Sequence, residues 1–146
     1  MMAVNPTTTG GLGNYQEEHS AIAGADLSGC QFKFVKLTSS GLVVCDTNGE
    51  HADGILLNEG TTGAVVKYAS GGTCNLWMNA SCIVGAKLTT TTAGKGVACA
   101  TGTAGVSPYS LSGDYCNAIA VQAAGAQNDF ITVQIVHAGV IPTTLI

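Results

Sequence analysis

The sequence predicts an all-β protein, a small β-barrel or sandwich of short antiparallel strands with an extended N-terminal arm. Between Cys30 and Ile141, short apolar runs alternate with turns rich in glycine and threonine, which is the pattern of consecutive strands and hairpins. No apolar stripe with the 3.6-residue period of a helix persists along the chain. Roughly eight or nine strands at this spacing are typical of a small sandwich or barrel.

The first half of the predicted body contains four strands. The first, residues 31–37, is rich in aromatic and β-branched residues, and a Ser-Ser-Gly turn joins it to residues 42–45 as a hairpin. A further turn follows at Asn48-Gly49, because this pair readily takes positive φ. The next two apolar runs are residues 53–57 and 63–69.

The second half of the body contains the remaining strands. After a turn at residues 70–72, the apolar runs lie at residues 73–78, 83–89, 97–100, 118–123 and 130–136. The last of these runs alternates, with Phe130, Thr132 and Gln134 on the face opposite to its isoleucines and Val133. A short helix at residues 19–25 or 79–84 is an alternative that the sequence leaves open.

The chain divides into three predicted segments: an extended arm over residues 1–20, a β-structured domain over 21–138 and a C-terminal tail over 139–146. The arm is rich in threonine and glycine and shows no periodicity, whereas the tail is apolar. We predict that both ends are interface elements, and frayed termini are the alternative. The predicted interface residues are Val4, Pro6, Leu12, Tyr15, Tyr109, Tyr115, Ile141, Leu145 and Ile146.

Charge is sparse in this chain. Charged residues make up 10% of it, the net charge is −4, and the five basic residues are lysines that stand singly. Nucleic-acid binding draws on clustered Lys and Arg, so we expect no direct contact with nucleic acid. No apolar run approaches the roughly 20 residues that cross a bilayer, and the N-terminus lacks the pattern of a signal peptide. We therefore expect no membrane association, and folding in a cytoplasm.

Side chains that could carry chemistry are scattered. The three histidines, His19, His51 and His137, are isolated in the sequence, and the acidic turn around His51 has the ligand spacing of no known metal cage. Residues 10–13 are glycine-rich, but they follow no strand and precede no lysine, unlike a phosphate-binding loop. The sequence therefore predicts no enzymatic activity, no cofactor and no metal site.

The six cysteines also lack a recognisable framework, because they are far apart and none forms a C-x-x-C pair. In a chain of this length and hydropathy we interpret most of them as small hydrophobic residues on strands. A disulfide or zinc framework is the alternative. The cysteines in question are Cys30, Cys45, Cys74, Cys82, Cys99 and Cys116.

Four aromatic residues could line a sugar-binding platform: Trp77, Tyr68, Tyr109 and Tyr115. Trp77 and Tyr68 lie inside strand patterns, which favours packing in the core or at an interface over sugar binding. Tyr109 and Tyr115 lie in the long loop region, so for them a surface-binding role stays open.

The order of strands and turns resembles that of the capsid decoration proteins of tailed phages, also called cement proteins. The similarity extends from about residue 24 to residue 136, and one of its motifs is Gly54-Ile55-Leu56-Leu57-Asn58, which is similar to a glycine–hydrophobic–Leu-x-Asn step of that family. The other matching segments are residues 27–37, 41–44, 63–67, 83–88, 94–96, 118–124 and 129–135. The resemblance implies a β-rich body without catalysis that binds the outside of an assembled head, often as a trimer, and it transfers no residue-level site.

We therefore expect a structural virion protein on the outer capsid surface. It would bind the assembled phage head and stabilise contacts between major capsid subunits, with the major capsid protein as partner and a homo-oligomer, preferably a trimer, as the binding form. The alternative is a fibre-type or carbohydrate-binding β-domain on the virion surface. An enzyme is disfavoured because groupings of a nucleophile with a base are lacking.

Overall fold

The computed structural model describes residues 16–99 and 114–140 of the chain. Within these ranges all regular secondary structure is β, so the all-β prediction is confirmed. The nine strands are β1 Gln16–Ile22, β2 Phe34–Thr38, β3 Gly41–Val44, β4 Gly54–Leu56, β5 Val65–Trp77, β6 Lys87–Thr90, β7 Gly96–Ala98, β8 Tyr115–Ala120 and β9 Phe130–Val140.

The strands form one antiparallel sheet whose order is β3-β2-β4-β5-β9-β8-β6-β7, with β1 pairing with β5 outside this path. The hairpin predicted at the start of the body is present as β2 and β3, with Thr38 opposite Gly41 at the turn. The last two predicted strands are also adjacent, as β8 and β9. Both are local pairings, which is why hairpin patterns in the sequence were sufficient to find them.

The long strand β5 replaces two predicted strands. The sequence indicated a turn at residues 70–72, but the chain continues through Gly72, which has φ of 78°. The register of β1 against β5 shifts here, between Glu17 and Glu18. A side chain on Gly71 would collide with the Glu17 carboxylate. The glycines therefore permit a bulge and a change of partner instead of a turn.

Because of this bulge, β5 serves two parts of the sheet. Its N-terminal half pairs with β1 on residues 65–72 and with β4 at Tyr68 and Ala69. Its C-terminal half, from Gly72 to Trp77, pairs with β9. One strand thus links the first hairpin to the closing strand pair.

Several segments differ from the sequence-based expectations. The strand predicted at residues 31–37 begins only at Phe34, and the one predicted at 118–123 ends at Ala120. Strand β9 runs to Val140, so residues 139 and 140 of the predicted C-terminal tail lie in the sheet.

Gln16–Ile22 is strand β1, so residues 16–20 of the segment assigned to the arm lie in the sheet, and a helix at residues 19–25 is wrong. The strand predicted at residues 83–89 begins only at Lys87, because Ile83 to Ala86 form a turn closed by the Ala86 N–H on the Ile83 carbonyl. Gly85 has φ of 86° in this turn, and a helix at 79–84 is also wrong.

The core consists of two apolar clusters, and consecutive residues of the central strands go to different clusters. The first cluster contains Phe34, Ile55 and Ala69, whereas their neighbours Val35, Leu56 and Tyr68 belong to the second. Side chains alternate between the faces of a strand, so both faces of the sheet are covered here. This explains why these strands read as continuous apolar runs instead of alternating patterns.

The cysteines contribute to this packing. All six are free thiols, and Cys45, Cys74 and Cys116 are buried. Burial raises the pKa of the Cys45 and Cys74 thiols to about 12, because an apolar surrounding disfavours the thiolate. These three thiols behave as the small hydrophobic residues that the sequence predicted.

Candidate interaction surfaces

Of the nine residues predicted to lie at interfaces, only Tyr115 falls within the described residues. It is half-buried at the start of β8, and its N–H donates to the carbonyl of Gly49 at 2.9 Å. Its ring meets the ring of His51 edge to face, with the centroids 4.7 Å apart. The other eight lie outside the described residues: Val4, Pro6, Leu12, Tyr15, Tyr109, Ile141, Leu145 and Ile146.

The three histidines, which are isolated in the sequence, come close together, and two of them contact Ser70. His19 Nε2 lies 2.8 Å from the Ser70 hydroxyl, and His137 Nε2 donates to the Ser70 carbonyl at 3.0 Å. The rings of His51 and His137 have centroids 5.5 Å apart. Among the described residues, no group of three or more His, Cys, Asp or Glu side chains is arranged to hold a metal ion.

An exposed apolar surface, which we call the apolar tip, consists of Ile83, Val84 and Val121. The exposed fractions of the first two are 76% and 62%, and that of Val121 is 49%. The Gly85 N–H donates to the carbonyl of Ala120, which brings the turn beside Val121. A groove of about 470 Å³ lies along the turn and reaches Cys99. Branched aliphatic side chains at the end of a turn are unfavourable in water and are typical of a covered surface.

A second surface lies on the side of β5 and β9 that faces away from the first core cluster, and we call it the outer face. Cys74 and Leu76 of β5 point into that cluster, so the residues between and after them point outward. The register joins these outward residues into three cross-strand pairs: Trp77 with Phe130, Asn75 with Thr132, and Thr73 with Gln134. Aromatic rings therefore occupy one end of the outer face, and amides and hydroxyls follow.

The aromatic end is a cluster of three rings and two lysines. The Trp77 and Phe130 rings have centroids 5.3 Å apart, and the Phe32 ring meets Phe130 edge to face at 5.9 Å. The ammonium groups of Lys33 and Lys95 lie 5.0 Å and 4.6 Å from the Trp77 ring centroid. These are cation–π distances, so the cluster combines exposed apolar surface with positive charge.

Two residues with left-handed backbone hold this cluster in place. Phe32 has φ of 68° and Asn128 has φ of 72°, and they are the non-glycine residues with positive φ in the described chain. The carbonyl of Phe32 accepts from the Trp77 N–H at 2.8 Å. The Asn128 amide oxygen accepts from Trp77 Nε1 at 3.1 Å and from the Lys95 ammonium at 2.9 Å. A bulky residue at positive φ costs energy, and such strain concentrates at functional sites.

Two grooves meet at Phe32. One, of about 330 Å³, lies at the aromatic end and is lined by Phe32, Trp77, Phe130 and the polar residues Gln31 and Glu59. The other, of about 440 Å³, includes Phe32 together with Gln16, Glu18, Asn58, Lys67, Thr73, Asn75 and Thr132. The Thr73 hydroxyl is buried and has no hydrogen-bond partner within the described part of the chain.

The structure therefore does not bring the described aromatic residues of the candidate sugar-binding platform together on one surface. Tyr68 is buried in the second core cluster, as the core interpretation predicted. Trp77 is half-buried on the outer face, and its ring neighbours are Phe130 and the two lysines. The signal that could have found this surface was the matching alternation of residues 73–77 and 130–134, which becomes informative only once the two runs are paired.

Comparison with known proteins identifies a structural relative. No protein-family model matches the chain, and no curated protein matches it. Among solved structures, the chain is similar to the N base of the head fiber gp8.5 of bacteriophage phi29, with a TM-score of 0.59 and 13% sequence identity. The match covers 86% of this chain and 98% of that chain.

Among the described residues, no helix has the length and hydropathy needed to cross a bilayer.

Proposed function

We propose that this chain is a structural virion protein of a phage, which binds the outer surface of the assembled head and stabilises contacts between major capsid subunits. The observation that supports this most is the similarity to the head-fiber N base, because it covers nearly all of that domain. At 13% identity the similarity establishes the fold alone. The finer proposal, a role on the outer head surface, comes from the order of motifs from residue 24 to residue 136, which resembles that of the decoration family.

The apolar tip is the capsid contact that we propose. Its aliphatic side chains would be covered by the head surface, and burial of one large aliphatic side chain stabilises a complex by about 1.5–3 kcal/mol. The described surface also carries a second exposed apolar pair, Ile22 and Val65, which are cross-strand partners in β1 and β5. This pair is available for contact with another copy of the chain in a homo-oligomer, for which a trimer is the preferred state.

A modest contact is sufficient for this role. A protein that binds the assembled, expanded head and not the dissociated subunits stabilises the assembly by mass action. An oligomer also contacts several capsid subunits at once, and linked contacts bind far more tightly than each alone. Neither effect requires catalysis, a cofactor or nucleic-acid contact.

Co-sedimentation of the purified protein with heads of its own phage tests the proposal. We expect saturable binding to expanded heads and none to unexpanded proheads. The double variant Ile83→Asp, Val84→Asp should abolish or strongly weaken binding, because it places two charges in the apolar tip. Thr92→Asp, which adds a charge to another exposed turn, is the matched control and should bind normally. If the protein binds neither expanded heads nor unexpanded proheads, the proposal is refuted.

A second candidate function is a fibre-type or carbohydrate-binding β-domain on the virion surface. The outer face favours it, because exposed aromatic rings beside amides and hydroxyls are the groups that sugars contact. A glycan array or a cell-binding assay separates the two candidates, since a protein that only reinforces the head should give no signal in either.

A further inference from the structure

We propose that the outer face of β5 and β9 is a binding site for an acidic oligosaccharide, whose sugar rings stack at Phe130 and whose hydroxyls and carboxylates reach the amides and lysines around it. This site belongs to the second candidate function and does not depend on attachment to the head. The supporting observations are the exposed ring, the donor and acceptor set, the strained backbone and the local charge.

Phe130 is the ring available for stacking. Its exposed fraction is 52%, whereas Trp77 beside it is half-buried and supported by two lysines and Asn128. Phe130 is part of a contiguous aromatic cluster with Phe32 and Trp77, and exposed apolar patches that are rimmed by polar residues mark interaction sites. The apolar C–H face of a pyranose ring is flat and of the right size to cover a phenyl ring, and such contacts combine apolar burial with attraction to the ring face.

The polar part of the site suits sugar hydroxyls. A hydroxyl donates and accepts at once, and its best partners are groups that do the same, such as amides and other hydroxyls. Phe130 is followed on the outer face by Asn75 and Thr132, and then by Thr73. Thr73, Asn75 and Thr132 all line the groove that also includes Phe32, and Asn75 is exposed there.

The backbone holds the aromatic end in one geometry. Phe32 and Asn128, the two non-glycine residues with positive φ in the described part of the chain, both contact the cluster, and they fix Trp77 through its backbone N–H and its indole N–H. Ordering of side chains is a cost of binding, so a site that is already rigid binds more tightly. The positions of both strained residues at one surface are therefore expected of a ligand site.

The charge around the grooves selects the class of sugar. The chain has a net charge of −4 and only five lysines, yet three of them, Lys33, Lys67 and Lys95, border the outer face or its grooves. Two carboxylates, Glu18 and Glu59, also line the grooves, but the ammonium groups of Lys33 and Lys95 both lie beside the Trp77 ring, so two cations stand at the aromatic end. A carboxylate on the sugar would complement this charge, and its contribution would fall with salt.

Titration of the whole protein with defined sugars tests the site. The probes are trigalacturonate, a hyaluronan tetrasaccharide and sialyllactose, with maltotriose as the neutral comparison. Trp77 is the only tryptophan, so its emission reports this surface alone. We expect at least one acidic probe to change the tryptophan emission in a saturable way, and the affinity for this probe to decrease at high salt. Maltotriose should bind at least about tenfold more weakly than this probe.

Variants then locate the site. Phe130→Ala should weaken binding of the acidic probe about tenfold, because the ring on which the sugar stacks is lost. Asn75→Ala should also weaken binding of the acidic probe, although this substitution leaves the aromatic rings in place. Val121→Ala, on the apolar tip, is the control and should leave the affinity unchanged. Absence of any response to the three acidic probes, equal binding of maltotriose, or unchanged affinity in Phe130→Ala would each overturn the proposal.

Head binding is measured with the same variants. If Phe130→Ala sediments normally with expanded heads, the outer face is separate from the capsid contact, as we expect. If Phe130→Ala abolishes sedimentation and no sugar binds, the outer face is a protein contact and the saccharide proposal is wrong. Failure of head binding alone leaves the sugar titration unaffected, so the two proposals fail separately.

Discussion

The buried amide of Asn117 holds the backbone beside Ala52. Its oxygen accepts from the Ala52 N–H at 2.9 Å, and its nitrogen donates to the Glu50 carbonyl at 3.0 Å. Asn117 is 1% exposed and lies where the register of β8 against β9 shifts, between Cys116 and Ala118. The side chain thus satisfies two backbone groups of the segment before β4 and joins it to β8.

Replacement of Asn117 by leucine should strongly destabilise the fold. The change leaves the Ala52 N–H and the Glu50 carbonyl without their partner in a buried position, and each such group costs about 1–3 kcal/mol. We expect the free energy of unfolding in urea to fall by about 2–4 kcal/mol. Gln127→Leu, at an exposed position, is the matched control and should change it by less than about 0.5 kcal/mol. Equal stability of the two variants would contradict this role of Asn117.

The ion pairs of Lys36 should make stability depend on acidity. The Lys36 ammonium lies 2.7 Å from Asp46 and 2.9 Å from Glu50. The hydrogen bond from Lys36 holds the pKa of Asp46 below its ordinary value of 3.8. A carboxyl group with a lowered pKa in the folded state stabilises the protein above its unfolded pKa, and that contribution is lost as the pH falls through the folded value.

We therefore expect the melting temperature to fall between about pH 5 and about pH 2, and part of that fall to depend on Lys36. Lys36→Met should melt with a smaller loss over this range, because the carboxylates no longer have their cation. Asp46 is 72% exposed, so the difference should be modest and should shrink in high salt. If the melting temperatures of the unaltered protein and of Lys36→Met fall by the same amount over this pH range, the ion pair contributes nothing to stability.

The thiols should differ in reactivity with a disulfide reagent. Burial raises the pKa of the thiols of Cys45, Cys74 and Cys99 to about 12, and the thiolate is the reactive form. We expect these three to stay unlabelled in the native protein at neutral pH, whereas Cys30 and Cys82, which are half-buried as Cys99 is, react first. Mass spectrometry of labelled peptides, before and after unfolding in urea, measures this. Rapid native labelling of Cys74 would contradict the packing described here.

Asn128 offers a test of the strained backbone at the aromatic cluster. Glycine adopts a φ of 72° without cost, whereas alanine does not, so Asn128→Ala should be less stable than Asn128→Gly by about 1–2 kcal/mol. Both variants remove the amide oxygen that accepts from Trp77 Nε1, so both should shift the emission of this single tryptophan. Equal stability of the two variants would mean that the backbone here is not held at positive φ.

The sequence was sufficient for the fold class because most strands of this protein are apolar or alternate. It was insufficient for β1, whose residues Glu17, Glu18 and His19 are all exposed and so leave no buried face to show a period. The sequence predicted two strands where the structure has the single strand β5, and the reason for this error is different. Gly71 and Gly72 look like a turn, but the partners that make them a bulge are β1 and β9, which are distant in sequence.

The candidate surfaces were harder to predict from the sequence than the fold. Phe130 and Trp77 are 53 positions apart, and only the register of β9 against β5 makes them neighbours. His19 and His137 likewise meet at Ser70 through non-local strand pairing, and His51 lies against His137. The apolar tip is visible in sequence as Ile83 and Val84, but its apolar run was assigned to a strand because exposure cannot be read from composition.

Electron cryomicroscopy of the virion of the corresponding phage tests the central claim most directly. We predict density for a nine-stranded β-domain on the outer surface of the head, in contact with at least two major capsid subunits, with the turn of Ile83 and Val84 facing the shell. Density at another part of the virion, or contact with a single subunit only, would contradict the role that we propose for this chain in stabilising the head.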